Sequence, residues 1–453
     1  MGKIKAVRIK PGFKIMLGFL IIIIAGALLL HLPASALDGK SIPLVDCFFT
    51  SFSAVCVTGL SVFAPGLTLS SFGQGVLLAL IQIGGLGFMT VTSMILLIIG
   101  KKFTLKDRIA ISSSFGEEGT TGVIRLMRNA VVITFGTELI GAIILSIRFI
   151  PAFGAKGVWY SVFHSISAFC NAGFDILNET TNFATYYSDP LVLLTLSALI
   201  IIGGLGFLVL LELSSHVFKR EKRRTLFSLH TRIVLISTGV LLLAGTILFG
   251  IFEWNNPETI GNMSVSDKLL NSFFQSVTTR TAGFSSFNQG KMGSASILLT
   301  IILMLIGASP AGTGGGFKTT TLAVMLALFA SVIRGRQNVS IFKRSISREN
   351  INKALALILM VITSVVILSV AICAAEGADF LPHELVFEVC SAFGTVGLSC
   401  GITAGLCSLS KILLMVAMFM GRVGMLSILT GLSEQFTKNK ADMQYPEGKI
   451  LIG

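Results

Sequence analysis

The stretch from Ala392 to Gly401, AFGTVGLSCG, is small, flexible and polar, and it lies between two apolar blocks. PHELVFEVCS runs before it from Pro382, and KILLMVAMFM follows from Lys411. Related stretches stand at AVCVTGLSV from Ala54, AFCNAGFDI from Ala168 and TTRTAGFSS from Thr278. Their glycines, Gly59, Gly173, Gly283 and Gly397, are 114, 110 and 114 residues apart, and each is followed by Leu or Phe. A near-constant period marks an internal repeat. Each glycine trails a segment of about 10 to 15 residues, too short to cross a bilayer.

The rest of the chain has the composition of a membrane. Of 453 residues, 53% are hydrophobic and only 13% charged, about half the charge of an average soluble domain. Apolar runs long enough to span a bilayer occupy Phe13–Leu32, Val76–Gly100, Val123–Phe149, Leu191–Leu213, Ile233–Phe252, Ile297–Val332, Ala354–Ala375 and Ile412–Leu432. The expected fold class is therefore an all-α polytopic membrane protein with eight transmembrane helices. Each repeat has the order helix, short pore helix, glycine loop, helix. The repeats are expected over 1–110, 111–224, 225–342 and 343–435, with a tail over 436–453.

The net charge of +13 suggests nucleic acid, but its distribution excludes it. Most Lys and Arg fall at 3–14, 101–128, 219–232, 334–353 and 438–449. Those groups share one side if eight spans alternate, and the positive-inside rule makes that side cytoplasmic, with both termini. The opening GKIKAVRIKPGFK leads into an apolar run without a small-residue cleavage site, so it reads as a retained first helix rather than a signal peptide. Seven scattered cysteines lack metal or redox spacing and read as small packing residues.

The short segments carry helix-start signals: Pro43 with Asp46, Ser264 with Ser266 and Asp267, and Pro382 with Glu384. The second, from Val158 through His164, is weaker. A half helix that returns to its own face leaves backbone carbonyls unsatisfied in lipid, so its loop must be buried in protein or line a wet path. Four such loops can line one path. Helix C-termini aimed inward favour a cation, and carbonyls can replace its water shell.

Thr395-Val396-Gly397 repeats the TVG of the potassium-channel signature TVGYG, with Leu398 at the Tyr position and Ser399 in place of the second Gly. The other copies are looser: Val57-Thr58-Gly59, Asn171-Ala172-Gly173 and Thr281-Ala282-Gly283. A single chain with four non-identical pore loops, one Gly each, resembles the Trk/Ktr/HKT superfamily of potassium transporters over essentially its whole length. The resemblance implies a fourfold pseudosymmetric pore for potassium uptake. Its selectivity filter maps to Val55, Cys56, Val57, Thr58 and Gly59; to Phe169, Cys170, Asn171, Ala172 and Gly173; to Thr279, Arg280, Thr281, Ala282 and Gly283; and to Phe393, Gly394, Thr395, Val396 and Gly397. Glycine rather than Ser at Gly59 implies potassium over sodium. Close helix packing is the plainer reading of these glycines, but packing glycines would not each end a half-length segment.

The helices after the loops carry a second signal, IGGLGF from Ile83 and again from Ile202, and MGRVGM from Met420. The third copy is IGASPAGTGGGFKTTT, from Ile306 to Thr321. GTGGGFKT is not a phosphate loop, because Phe317 stands where Gly must precede Lys and no βαβ unit surrounds it. Pro310 and the glycines read instead as a flexible break. By resemblance, Gly307, Ala308, Ser309, Pro310, Ala311, Gly312, Thr313, Gly314, Gly315 and Gly316 form an intramembrane gating loop, followed by Lys318. Arg422 is costly in an apolar helix and is a functional candidate by default; the family uses it as a barrier and loop partner. Snorkelling to the cytoplasmic face is the alternative for both cations. Arg280 is expected to pair with a carboxylate such as Glu388 or Asp267. His164 and Glu138 read as packing or interfacial residues.

The links KREKRR from Lys219 and RGRQNVSIFKRSISREN from Arg334 suit anionic membrane lipid. The resemblance adds a homodimer and a cytoplasmic KtrA-type nucleotide-binding ring. ATP and ADP would act through that partner, because this chain shows no strand-GxGxxG-helix unit and no cofactor site of its own. Potassium is the implied cargo and sodium an implied activator. A secondary transporter coupled to sodium or protons is the competing class; it usually has two inverted repeats and a midplane acid. An enzyme would need clustered His or Asp, which five scattered histidines do not supply.

Overall fold

A computed structural model describes residues 11–87, 123–177, 182–218, 227–336 and 338–424. The expected repeat boundaries at 110/111, 224/225 and 435/436, the KREKRR link and the tail over 436–453 lie outside the described residues. The described chain is mostly helical. Four long helices, α1 (Pro11–His31), α4 (Val123–Phe153), α8 (Leu229–Glu253) and α12 (Arg348–Glu376), each precede a half-length helix. The half helices are α2 (Leu44–Val55), α5 (Lys156–Phe169), α9 (Val265–Thr278) and α13 (Pro382–Gly394). After each glycine loop comes an inner helix: α3 (Ser71–Leu86), α6 (Pro190–Leu205), α10 (Ser294–Leu305) and α14 (Ser408–Val423). Helices α7 (Phe207–Phe218) and α11 (Thr319–Ile333) continue the second and third of these. A two-residue hairpin, Ser340–Ile341 with Arg344–Ser345, precedes α12.

Three described helices are long and apolar enough to cross a bilayer: Met127–Phe153, Leu229–Glu253 and Arg348–Glu376. Their outer faces display Leu139, Ile140, Val240, Leu243, Leu359 and Val370 to the surroundings, as lipid-facing surface requires. The chain is a multi-pass membrane protein.

Each long helix packs on its own half helix, and three of the crossings are built alike. Ser51 of α2 donates to Ile23 O of α1 at 2.7 Å, Ser165 of α5 to Glu138 O of α4 at 2.6 Å, and Ser276 of α9 to Leu242 O of α8 at 2.9 Å. A glycine on the long helix meets each serine: Gly26, Gly141 and Gly245. A Cβ at Gly141 would lie 2.5 Å from Ser165 Oγ and 2.7 Å from Leu199 Cδ1. The crossing is close because the glycine has no side chain, and the hydroxyl finds a carbonyl there rather than facing apolar atoms.

The inner helices differ from the straight spans expected over Val76–Gly100, Leu191–Leu213 and Ile412–Leu432. Not only the third but the second is broken: α6 and α7 meet at 102°. Gly206, at the break, has φ +90°, and Phe207 N bonds to Ala311 O at 2.9 Å rather than within a helix. Helices α3 and α14 end before Gly87 (φ +82°) and Gly424 (φ +85°). The same last glycine of the GGLG-type motif thus ends all three helices, since a left-handed residue stops the helix and glycine adopts it without strain.

Candidate functional site

The four half helices point their C-termini at one another, and their glycines close a ring. A Cβ added at Gly59 would meet Ala172 O and Gly173; at Gly173, Ala282 O and Gly283; at Gly283, Val396 O and Gly397; at Gly397, Thr58 O and Gly59. The sequence of contacts returns to its start after four steps. Only backbone fits at so close an approach. The loops also share one backbone pattern. Val57, Asn171, Thr281 and Thr395 have φ between +50° and +66°, and the ring glycines two residues later have φ of +95°, +66°, +81° and +93°. Left-handed Val and Thr are unfavourable, so the surrounding structure must impose them.

Part of that structure is legible as hydrogen bonds. Thr58 N donates to Ser53 O at 2.7 Å, Ala172 N to Ser167 O at 2.8 Å and Val396 N to Ser391 O at 2.8 Å. Gly59 N and Gly397 N donate to the Ser53 and Ser391 hydroxyls at 3.0 and 3.1 Å. In the third loop, Ala282 N bonds instead to Thr278 O at 3.0 Å, so that connection is one residue shorter. Between neighbouring loops, the Asn171 amide oxygen faces Thr281 Oγ1 at 3.3 Å, while its NH2 donates to Ala168 O and Ile200 O, both at 3.2 Å.

Inner helices press against the same loops. A Cβ at Gly84, Gly203 or Gly421 would strike Val55 O, Phe169 O or Phe393 O. The first glycine of each GG or GR pair therefore does pack closely, the plainer role considered for the loop glycines, and it leaves room for the half-helix terminus. Where the chain leaves the ring, a vestibule of about 540 Å³ opens, lined by Ser61, Asp175, Ser285, Ser399 and Gln289 among others.

On the opposite side the break between α10 and α11 packs against the loops. Gly307 N donates to Phe317 O at 2.9 Å and closes the base of the loop. Ala308 is buried, and Ser309 N and Thr313 N donate to Gly204 O and Gly203 O at 3.0 and 3.2 Å. Those carbonyls are free because α6 ends beside them. Pro310 O faces Gly206, Ala311 O accepts from Phe207, and Gly312 N turns back to Ser309 O at 3.2 Å. Gly314 and Gly315 abut the side chains of Thr281 and Thr395, and Gly315 N donates to Thr395 Oγ1 at 3.0 Å. The loop therefore touches the ring segment directly, and Gly316 (φ +68°) turns it towards α11.

Two cations hold this loop. Arg422 donates to Thr313 O and to Gly84 O, and to Gly85 O at 3.4 Å. Lys318 Nζ donates to Gly314 O at 2.7 Å. Neither snorkels; both sit among carbonyls. Arg280 departs from expectation. It forms no ion pair among the described residues, and its buried Nε has no hydrogen-bond partner. Glu388 is engaged by Ser399, Cys400 and Thr403. Asp267 caps the far end of α9 through Ser264, at 2.7 Å, about 20 Å of helix away. Arg280 instead lines a small cavity together with Ile200, Ile201, Leu242 and Ala308.

Sequence reasoning missed a group behind the second loop. Glu138, buried midway along α4, accepts from Gln82 Nε2 at 3.0 Å, and Cys170 Sγ lies 3.9 Å from the carboxylate. Gln82 precedes the GGLG motif by two residues, and nothing in that spacing announces a carboxylate on another helix.

A helical membrane protein that gathers four half helices and four carbonyl-rich loops on one axis belongs to the class built around an ion path. The chain belongs to the TrkH family of cation transport proteins, whose model matches residues 8–440. It is 41% identical to Ktr system potassium uptake protein B of Bacillus subtilis, over 99% of this chain and 98% of that one. It is 38% identical to potassium/sodium uptake protein NtpJ of Enterococcus hirae, over 98% of each. The fold matches the crystal structure of the potassium transporter TrkH from Vibrio parahaemolyticus with a TM-score of 0.72, at 17% identity, over 96% of this chain and 88% of that one.

Proposed function

We propose that the chain carries potassium across the bacterial plasma membrane as the ion-translocating subunit of a Ktr-type uptake system. The observation that carries this reading is the four-step closure of Gly59, Gly173, Gly283 and Gly397 on one another's backbone. Carbonyls of the five-residue segments ending at those glycines would replace the ion's water shell. The half-helix C-termini would lower the cost of a cation at mid-membrane. The loop from Gly307 to Gly316 is the gate, held shut by Arg422 and Lys318, and ions move down their electrochemical gradient when it is displaced. The relatives at 41% and 38% identity, a potassium and a potassium/sodium uptake protein, support this cargo.

Four finer points belong to the same proposal. Both termini face the cytoplasm. The chain forms a homodimer. A KtrA-type ring docks on the basic cytoplasmic side and passes the ATP or ADP state to the gate. Sodium activates uptake. The deciding test is rubidium flux into liposomes holding the purified chain, with and without such a ring, competed by potassium and sodium. Uptake blocked by potassium but not by sodium is the expected result. Silence under both conditions would sink the proposal.

Glu138 favours one competing reading, since a buried membrane acid beside the path is what a proton-coupled carrier needs. Rubidium uptake that requires a proton gradient, and that Glu138→Gln uncouples, would establish it.

A further inference from the structure

The ring loops are accompanied by polar side chains that the ion path itself does not use. Nine residues before the ring glycine stand His164 in the second repeat and Glu388 in the fourth. In the third repeat, whose loop connection is one residue shorter, the matching residue is Gln275, eight before Gly283. Each reaches past the loop to the chain leaving the ring, where the second residue after glycine is Ser61, Asp175, Ser285 or Ser399. His164 Nε2 lies 2.7 Å from Asp175 Oδ1. Glu388 accepts from Ser399 Oγ at 2.5 Å, Cys400 N at 3.1 Å and Thr403 Oγ1 at 3.0 Å. Gln275 and Gln289 exchange hydrogen bonds of 2.6 and 3.1 Å, and Gln289 donates to Ser285 Oγ at 2.9 Å. In the first repeat the position is Thr50, whose hydroxyl has no partner.

We propose that these three side chains are positioning residues that brace the outer end of the ring. The proposal rests on the ion-path reading above. Both ends of each brace belong to one repeat and straddle its loop, so the brace fixes how far the ring carbonyls can move. A carbonyl ring discriminates between cations through its number of ligands and their freedom to adjust, so loosening a brace costs selectivity.

The second brace is enclosed by aromatic rings. His164 Nδ1 also meets Tyr160 O at 2.6 Å, and Leu177 N donates to Asp175 Oδ1 at 2.7 Å. Phe149, Phe163 and Phe183 surround the imidazole at centroid distances of 5.7, 5.7 and 5.1 Å.

The experiment is rubidium uptake by the full chain in liposomes, competed by potassium and by sodium. His164→Leu and Glu388→Leu should each lower potassium-over-sodium discrimination by about tenfold, the ratio one charged hydrogen bond commands. His164→Gln, whose amide still donates to Asp175, should restore most of it, and Thr50→Val, at the matching position without a brace, should discriminate as wild type. Unchanged discrimination in either Leu variant, in protein that elutes as wild type, overturns the proposal. Where a Leu variant fails to fold, Ser399→Ala, which removes one donor to Glu388, takes its place, and unchanged discrimination there overturns the proposal too. Failure of the ion-path reading looks different: potassium then fails to compete in wild type as well, and the brace falls with it.

Discussion

Arg422 and Thr313 lie 109 residues apart in sequence and meet beneath the ring, the guanidinium donating to the carbonyl of the loop between α10 and α11. The same guanidinium reaches Gly84 O and Gly85 O on α3. It thereby ties three repeats together beneath the ring. A planar fork of donors suits such a junction, and a lysine could not span it.

Replacing Arg422 with Gln should free the loop. Its charge-assisted hydrogen bonds to two repeats are worth about 3 kcal/mol together, so rubidium flux through the purified chain should rise by about tenfold or more. Flux that is unchanged, in protein that elutes as wild type, would remove Arg422 from the gate.

Lys318 should act on the same equilibrium. Its ammonium holds Gly314 O, one residue along from the carbonyl that Arg422 holds. Lys318→Met should raise flux by itself. In a double-mutant cycle with Arg422→Gln the two effects should fall short of additivity, because both release one loop. Strict additivity would mean two independent restraints.

Gly59→Ser should weaken potassium preference without emptying the membrane of folded protein. Its Cβ would meet Ala172 O, and the residue sits at φ +95°, so the ring must widen or twist at one of four points. Sodium should then compete for rubidium uptake, which in wild type it is expected not to do. Discrimination preserved in this variant would argue against a ring of equal partners.

Gly141→Leu tests the helix crossing rather than the path. The new side chain would enter space held by Ser165 and Leu199. Overpacking of this kind costs about 1–3 kcal/mol. The monodisperse peak should therefore be lost at a lower temperature than in wild type, and Gly136→Leu, at a position with nothing within 4 Å, should be neutral. Equal melting of the two variants would contradict the crossing geometry.

Much of this protein is written in one dimension. The four glycines declare a repeat by spacing alone, and half-length apolar segments before them exclude simple spans, because segment length is set by the thickness of the bilayer. Pro310 and its glycines mark a break through local backbone chemistry, which needs no partner to be read. Arg422 stands out because a charge in an apolar run is costly wherever it goes. What remained hidden depends on which residues approach across repeats. Gly206 ends α6 within a run as apolar as any span, since the carbonyls freed there are taken up by a loop about a hundred residues away. Arg280 was expected beside Glu388 or Asp267, yet both carboxylates have closer donors, a matter of distances that spacing does not carry. Glu138 and His164 read as packing residues because the order of residues along one helix does not say which loop that helix will face. The sequence by itself determined the half helices, the loops and their number. Only the tertiary structure decided that the loops close on one another and that two cations hold the loop beneath them, because a hydrogen bond between distant residues exists only once packing has brought its ends together.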